Sequence, residues 1–245
     1  MQAVILAAGT GSRLRPLTEH IPKPLVPVSF RGGRVVTIID KIINQVKAAG
    51  IKDVFVVVNY KKEMIQKYLG DGSAYGLHVT YVFQDKLDGN GGALFRCKGL
   101  ATEDVLFTDC DNFVDDEKIF LKMRDLFDES RADAVVGVNR VDDITRFAIF
   151  KTDKTGKIVD IFEKPTDRKE WGNLAKTGFA IIAGKVIKMD RDVCKTEKGE
   201  YATTQLFKHM LENGMKLAPY IVEAEFEDIG TWESYGKILD KTSKE

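Results

Sequence analysis

A chain of 245 residues with 44% hydrophobic content is long enough for one large domain with a sizeable core. Its 37 basic and 37 acidic side chains cancel, which excludes the global basic field that recruits nucleic acid or an anionic membrane and leaves any bound anion to local groups. Cys97, Cys110 and Cys194 form no CxxC pair and read as buried thiols; no uncharged run of about 18 residues would span a membrane, the first residues enter a strand without a leader, and a cytoplasmic location is expected.

The first element is an apolar strand over 3–8 that runs into Gly9, Thr10, Gly11 and Ser12. Small residues let backbone N–H groups approach phosphate oxygens closely, and two cations follow: Arg13, and Lys23 held between Pro22 and Pro24. Leu6, Ala7, Ala8, Gly9, Thr10 and Gly11 are therefore expected to form an anion-binding loop, outside the carboxyl end of a strand as in other open α/β sheets. The loop is not a Walker loop, which needs Lys and Ser or Thr directly after its second glycine. Nor is it the dinucleotide GxGxxG, since Leu14 stands where the third glycine belongs.

Apolar spacing at Ile38, Ile39, Ile42, Ile43 and Val46 predicts a helix over 37–49, ended by Gly50. Residues 53–60 form a nearly continuous β-branched run, as a strand covered on both faces requires. A short helix over 63–69, a strand over 78–84, a helix over 92–99 and a strand over 105–108 continue the alternation. The expectation is a doubly wound α/β fold with a mixed, mostly parallel sheet. After a helix over 116–128 the texture changes. Runs over 133–141, 146–153 and 158–163 are separated by turns too short for helices and predict an antiparallel meander. A strand over 178–182, a helix over 203–213, a strand over 217–226 and a helix over 231–239 close the chain. One domain over 1–245 is expected, with halves over about 1–130 and 131–245.

Several constellations could carry chemistry. Gln84 ends a strand and precedes a glycine turn at Gly89; its amide both donates and accepts, matching the edge of uracil or thymine, though the segment also reads as a turn and helix cap. Asp109 and Asp111 follow an apolar strand and suit Mg²⁺, a hard cation that prefers oxygen ligands and keeps several waters. An Asp-rich turn, or the metal-holding DxD of glycosyltransferases, reads the same way. Glu163 and Lys164 end a strand of the second half and are equally a solvated pair. Asp228 precedes Ile-Gly-Thr at the closing helix, where capping alone would explain it.

LAAGTGSRLRPLT followed by PKPLVPV resembles the amino-terminal signature of the sugar-1-phosphate nucleotidyltransferases, a family that includes glucose-1-phosphate thymidylyltransferases and UTP-dependent pyrophosphorylases. The resemblance runs from Ala3 to about Tyr235. It implies a Rossmann-like nucleotidyltransferase fold with an antiparallel sugar-binding lobe, and condensation of an NTP, UTP or dTTP favoured, with a sugar 1-phosphate to give an NDP-sugar and pyrophosphate. It implies nucleotide on the loop from Leu6 to Gly11, Arg13 and Lys23 as catalytic cations, Gln84 and Gly89 on the base, and Mg²⁺ on Asp111 and Asp228, with Asp109 as a further acid. Glu163, Lys164, Thr177, Gly178 and Glu200 would serve the sugar phosphate, and members often assemble as dimers or tetramers. Ala148 stands where the family often has glycine, which puts an extra methyl group at the sugar pocket the resemblance implies. A cytidylyltransferase of sugar or phosphocholine-like alcohol phosphates, and a non-catalytic subunit that senses nucleotide sugars, are the alternatives.

Overall fold

The computed structural model describes residues 1–29 and 35–242. In chain order the first half contains β1 (Gln2–Ala7), α1 (Leu17–His20), β2 (Pro27–Ser29), β3 (Val35–Thr37), α2 (Ile38–Ala48), β4 (Asp53–Val58), α3 (Lys62–Leu69), β5 (His78–Phe83), α4 (Asn90–Phe95), β6 (Val105–Asp109), β7 (Asn112–Val114) and α5 (Ile119–Ser130). The second contains β8 (Ala134–Arg140), β9 (Ala148–Thr152), β10 (Ile158–Glu163), α6 (Arg168–Trp171), β11 (Leu174–Ile182), α7 (Gly184–Ile187), α8 (Thr203–Glu212), β12 (Leu217–Ile221), β13 (Phe226–Asp228) and α9 (Trp232–Thr242).

All six residues of β1 are buried, because the strand lies mid-sheet between β4 and β6, parallel to both. Its alternate side chains feed two cores. Ala3, Ile5 and Ala7 face α2 and α5, while Val4, Leu6 and Ala8 pack with α4 and α8. The helix α2 starts at a capping box, in which Thr37 Oγ1 accepts from the Asp40 N–H and the Asp40 carboxylate accepts from the Thr37 N–H. Its Ile39, Ile42, Ile43 and Val46 then lie against the sheet.

The expected mixed, mostly parallel first half is present: β6, β1, β4 and β5 run parallel. The meander is only partly formed. β9 and β10 pair antiparallel as expected, but β8 does not pair with β9. The nine-residue β11 lies between them, antiparallel to both and to β6, so that a single sheet runs through both halves. Residues 134–138 are all buried, and β8 has a strand along each edge, β11 on one side and β12 on the other. The expected strand over 217–226 is two strands. β12 runs parallel to β8, whereas β13 leaves the sheet and forms an antiparallel ribbon with β7. The predicted helix over 92–99 is α4, which begins at Asn90. Among the described residues no helix is long and apolar enough to cross a membrane, and the three cysteines are buried and free.

Candidate active site

Parallel register sets Leu6 opposite Asp109, and the Cys110 N–H donates to the Leu6 carbonyl. The ends of β1 and β6 therefore bring the glycine loop and the Asp109–Asp111 turn together at the carboxyl edge of the sheet. The loop is held from below: Leu14 is fully buried, and Thr18 Oγ1 donates to the Gly11 carbonyl at 2.9 Å. Lys23 lies in a short 3-10 turn between its prolines, and its ammonium donates to Asp111 Oδ2 at 2.7 Å. Two residues that the sequence placed far apart thus meet in one ion pair.

The β7–β13 ribbon does the same for Asp228. It pairs with Asn112, and the Ile229 N–H donates to the Asp111 carbonyl at 2.8 Å. Burial, then the neighbouring Asp111 charge, raises the Asp228 carboxyl above the usual range, and Lys23 and Arg13 pull it back. Asp109 is raised further by burial and Asp111, against the relief from the Lys176 ammonium and from Asn90. Three carboxylates converge here, with the Arg13, Lys23 and Lys176 cations around them. The donor set is hard oxygen, which fits a divalent cation that takes a few carboxylates and completes its shell with water and phosphate. Among the described residues no ready-made cage of three or more His, Cys, Asp or Glu exists, in keeping with such a partly wet site.

Two cavities open on this edge. The first, of about 490 Å³, is lined by the loop from Leu6 to Arg13 together with Lys23, Gln84, Gly89 and Glu200. The second, of about 660 Å³, lies between the two halves and includes Asn112, Arg146, Lys176, Thr177, Gly178 and Asp228. Arg13, Asp109, Asp111 and Gly230 line both, so the cavities meet at the carboxylate cluster.

All the expected nucleotide residues, Leu6, Ala7, Ala8, Gly9, Thr10, Gly11, Gln84 and Gly89, line the first cavity. Gly89, however, is required by protein as well as by any base. At φ +104° its missing Cβ would stand 2.2 Å from the Tyr201 carbonyl oxygen, so the turn is pressed onto a segment of the second half. Thr177 and Gly178 line the second cavity, where β11 slips register against β8. Thr177 is buried and donates to the Gly137 carbonyl at 2.8 Å. A Cβ on Gly178 would stand 2.3 Å from Asn112 Nδ2 and 2.6 Å from Asp109 Oδ2. Glu200 lines the first cavity instead of the second, and Glu163 and Lys164 line neither. That last pair is exposed at the end of β10, where the Lys164 N–H donates to the carbonyl of Phe147 in the wall of the second cavity.

Sequence reasoning missed Lys176, Asn90 and Gly230. Lys176 precedes the Thr-Gly pair and was legible only as a charge inside an apolar strand. Asn90 accepts from the Thr203 N–H at the start of α8 and donates to Asp109 at 3.4 Å, a bridge no local pattern announces.

A family model described as nucleotidyl transferase matches residues 2–245. A low-salt glycan biosynthesis nucleotidyltransferase of Haloferax volcanii is 31% identical over 234 residues, 94% of this chain and 62% of that protein. A UTP–glucose-1-phosphate uridylyltransferase of the same organism is 31% identical over 247 residues, 100% of this chain and 98% of that protein. The chain spans under two thirds of the length of the first relative and about half that of several bifunctional relatives. Among solved structures, a Bacillus anthracis protein provisionally assigned as a glucose-1-phosphate thymidylyltransferase, in complex with a sucrose, superposes with a TM-score of 0.86 at 27% identity, covering 99% of this chain and 95% of that one.

Proposed function

The chain belongs to the nucleotidyl transferase family, and from that premise we propose that it condenses UTP or dTTP with a sugar 1-phosphate, giving an NDP-sugar and pyrophosphate. The observation that carries this reading is the junction of two cavities at Arg13, Asp109, Asp111 and Gly230. The first cavity holds the nucleotide with its triphosphate on the glycine loop. The second holds the sugar phosphate, and its phosphate oxygen reaches the α-phosphorus where the cavities meet.

A bond then forms between that oxygen and the α-phosphorus while the bond from the α-phosphorus to the bridging oxygen breaks, and pyrophosphate leaves with the electron pair. No protein nucleophile is needed, so the work is positioning and charge neutralisation. Arg13 stabilises negative charge gathering on the leaving pyrophosphate. Lys23 is held ready by Asp111 and turns to the α-phosphate. Lys176 in the cavity wall and, in the role the resemblance implies, Lys164 just after β10 hold the sugar phosphate in line. Asp111 and Asp228, with Asp109 adjoining, would hold Mg²⁺, which when bound neutralises the nucleotide phosphates. A cytoplasmic setting goes with this chemistry and with three buried, free thiols.

The test is pyrophosphate release with Mg²⁺, crossing UTP, dTTP, CTP, GTP and ATP against a panel of sugar 1-phosphates. Release with UTP or dTTP and at least one sugar phosphate is expected. Silence across the grid, from folded protein, overturns the reading.

A further inference from the structure

Gln84 stands at the end of β5, and Asp88 is the last residue before the glycine turn. Both are buried, at 3% and 5% exposure; Gln84 lines the first cavity and Asp88 lies behind it, outside the lining. The backbone of Gln84 is tied on both sides: its N–H donates to Val58, and Asn59 Nδ2 donates to its carbonyl at 2.6 Å. Its side-chain Nε2 donates to Asp88 Oδ1 at 3.0 Å and to the Gly89 carbonyl at 3.2 Å. A carboxylate and a carbonyl are acceptors only, so the amide has one tolerable orientation. Turned over, it would press Oε1 against two oxygens at hydrogen-bond distance in a low-dielectric wall. Both amide hydrogens are used inward, and what Gln84 can offer a ligand is its oxygen.

The carboxylate that sets this orientation is itself held from the other half of the molecule. Arg191 Nη1 lies 3.4 Å from Asp88 Oδ2, and its guanidinium sits over the Tyr201 ring, 4.0 Å from the centroid. The Tyr201 N–H donates to the Asp88 carbonyl at 2.7 Å. Space for the carboxylate comes from Gly92, where a Cβ would stand 2.1 Å from Asp88 Oδ1.

We propose that Asp88 is a positioning residue that locks the Gln84 carboxamide with its oxygen toward the base, making the first cavity select uracil or thymine over cytosine. The inference rests on the reading above that the base lies against Gln84. Uracil and thymine carry an N3–H between two carbonyls, and that hydrogen matches the fixed Oε1. Cytosine has an unprotonated N3, which would set acceptor against acceptor. A freely turning glutamine would serve either base; one clamped by Asp88 serves one class.

The experiment is calorimetric binding of UTP and CTP, with Mg²⁺, to wild type, Asp88→Asn and Gly92→Ala, and inorganic tripolyphosphate serves as the base-free probe. Asparagine keeps the shape but puts an amide where a carboxylate faced both Gln84 and Arg191. Alanine at 92 leaves Asp88 intact and pushes its carboxylate away. Wild type is expected to prefer UTP, and both variants should narrow the UTP/CTP ratio about tenfold or more through weaker UTP binding. Tripolyphosphate should bind all three alike. An unchanged ratio in folded Asp88→Asn and Gly92→Ala overturns the lock; if wild type still releases pyrophosphate from UTP, the proposed function stands without it. Wild type that binds neither nucleotide overturns both. Should the variants fail to fold, the Gln84 side-chain amide signal in nitrogen-15 spectra of wild type decides. The lock requires its two protons to exchange slowly and to stay in place when UTP binds, and a large shift of either proton on UTP binding overturns it.

Discussion

The two cavities are built in different ways. The first draws most of its wall from two continuous stretches, the loop over 6–13 and the turn over 84–93, each carried on the end of a parallel strand, with Lys23, Glu200 and the Asp109–Asp111 turn among the residues that complete it. The second is assembled mainly from β7, β8, β11 and β13, with the loop after β8 and the start of α9, segments scattered from Asn112 to Lys237. A site made from strand ends tolerates change elsewhere in the chain. One made from converging strands depends on every register that brings them together, so damage to the second cavity should separate from damage to the first.

The largest effects are expected where the cavities meet. Arg13→Ala and Asp111→Asn should each lower turnover by about 10³-fold while leaving the melting temperature nearly unchanged. Steady-state rates alongside thermal melts check this, and near-normal rates in either variant would remove the role assigned to it. Gly178→Ala comes next. Its methyl group would collide with Asn112 and Asp109, so turnover should fall roughly 10²-fold while nucleotide binding measured by calorimetry stays within a factor of a few. Equal loss of nucleotide binding would show that the cavities are not separable. Lys176→Met should raise KM for the sugar phosphate about tenfold and leave KM for the NTP alone. The same measurement on Lys164→Met ranks the two lysines, and an unchanged sugar-phosphate KM for Lys176→Met would take that residue out of the second cavity's chemistry.

The smallest effect concerns the ribbon that carries Asp228. Lys41 of α2 is buried over the Phe113 ring of β7 and lies 3.6 Å from Asp115. Burial pulls its ammonium down to about 8, against the pull of Asp115. An unfolded lysine titrates near 10.4. Between these values the unfolded chain holds the extra proton, so stability from this group rises with pH across the window, by up to about 1.4 kcal/mol per unit. Denaturant melts of wild type and Lys41→Gln from pH 7.5 to 10.5 should show the wild type gaining on the variant as pH rises. A constant difference would mean that Lys41 titrates normally.

Much of this was legible in the chain. The strand-to-loop transition at Gly9, the helix expected over 37–49 and the strand expected over 53–60 depend on neighbours within a few residues, and their patterns were plain. The place of β8 was not. A fully apolar run says that a strand is covered on both faces but not which strands lie along its edges, and β11 pairs with β8 where a meander was expected. The ribbon was invisible for another reason: β7 and β13 are three residues each, too short for any periodicity. Polar Lys176 and Thr177 likewise hid the first residues of β11, which starts at Leu174, because they face a cavity and a neighbouring carbonyl.

By itself the sequence determined the phosphate-binding loop, the alternation that builds the parallel half, and the inventory of cations and carboxylates, since each rests on local geometry or side-chain chemistry. Tertiary structure alone decided that Lys23 meets Asp111, that Asp228 stands beside them, and that Asp88 answers to Arg191. Those pairings bring like charges together or bury them, and no local preference favours that. They persist because ladder hydrogen bonds and apolar burial elsewhere in the sheet hold the backbone in register, whatever the carboxylates would choose.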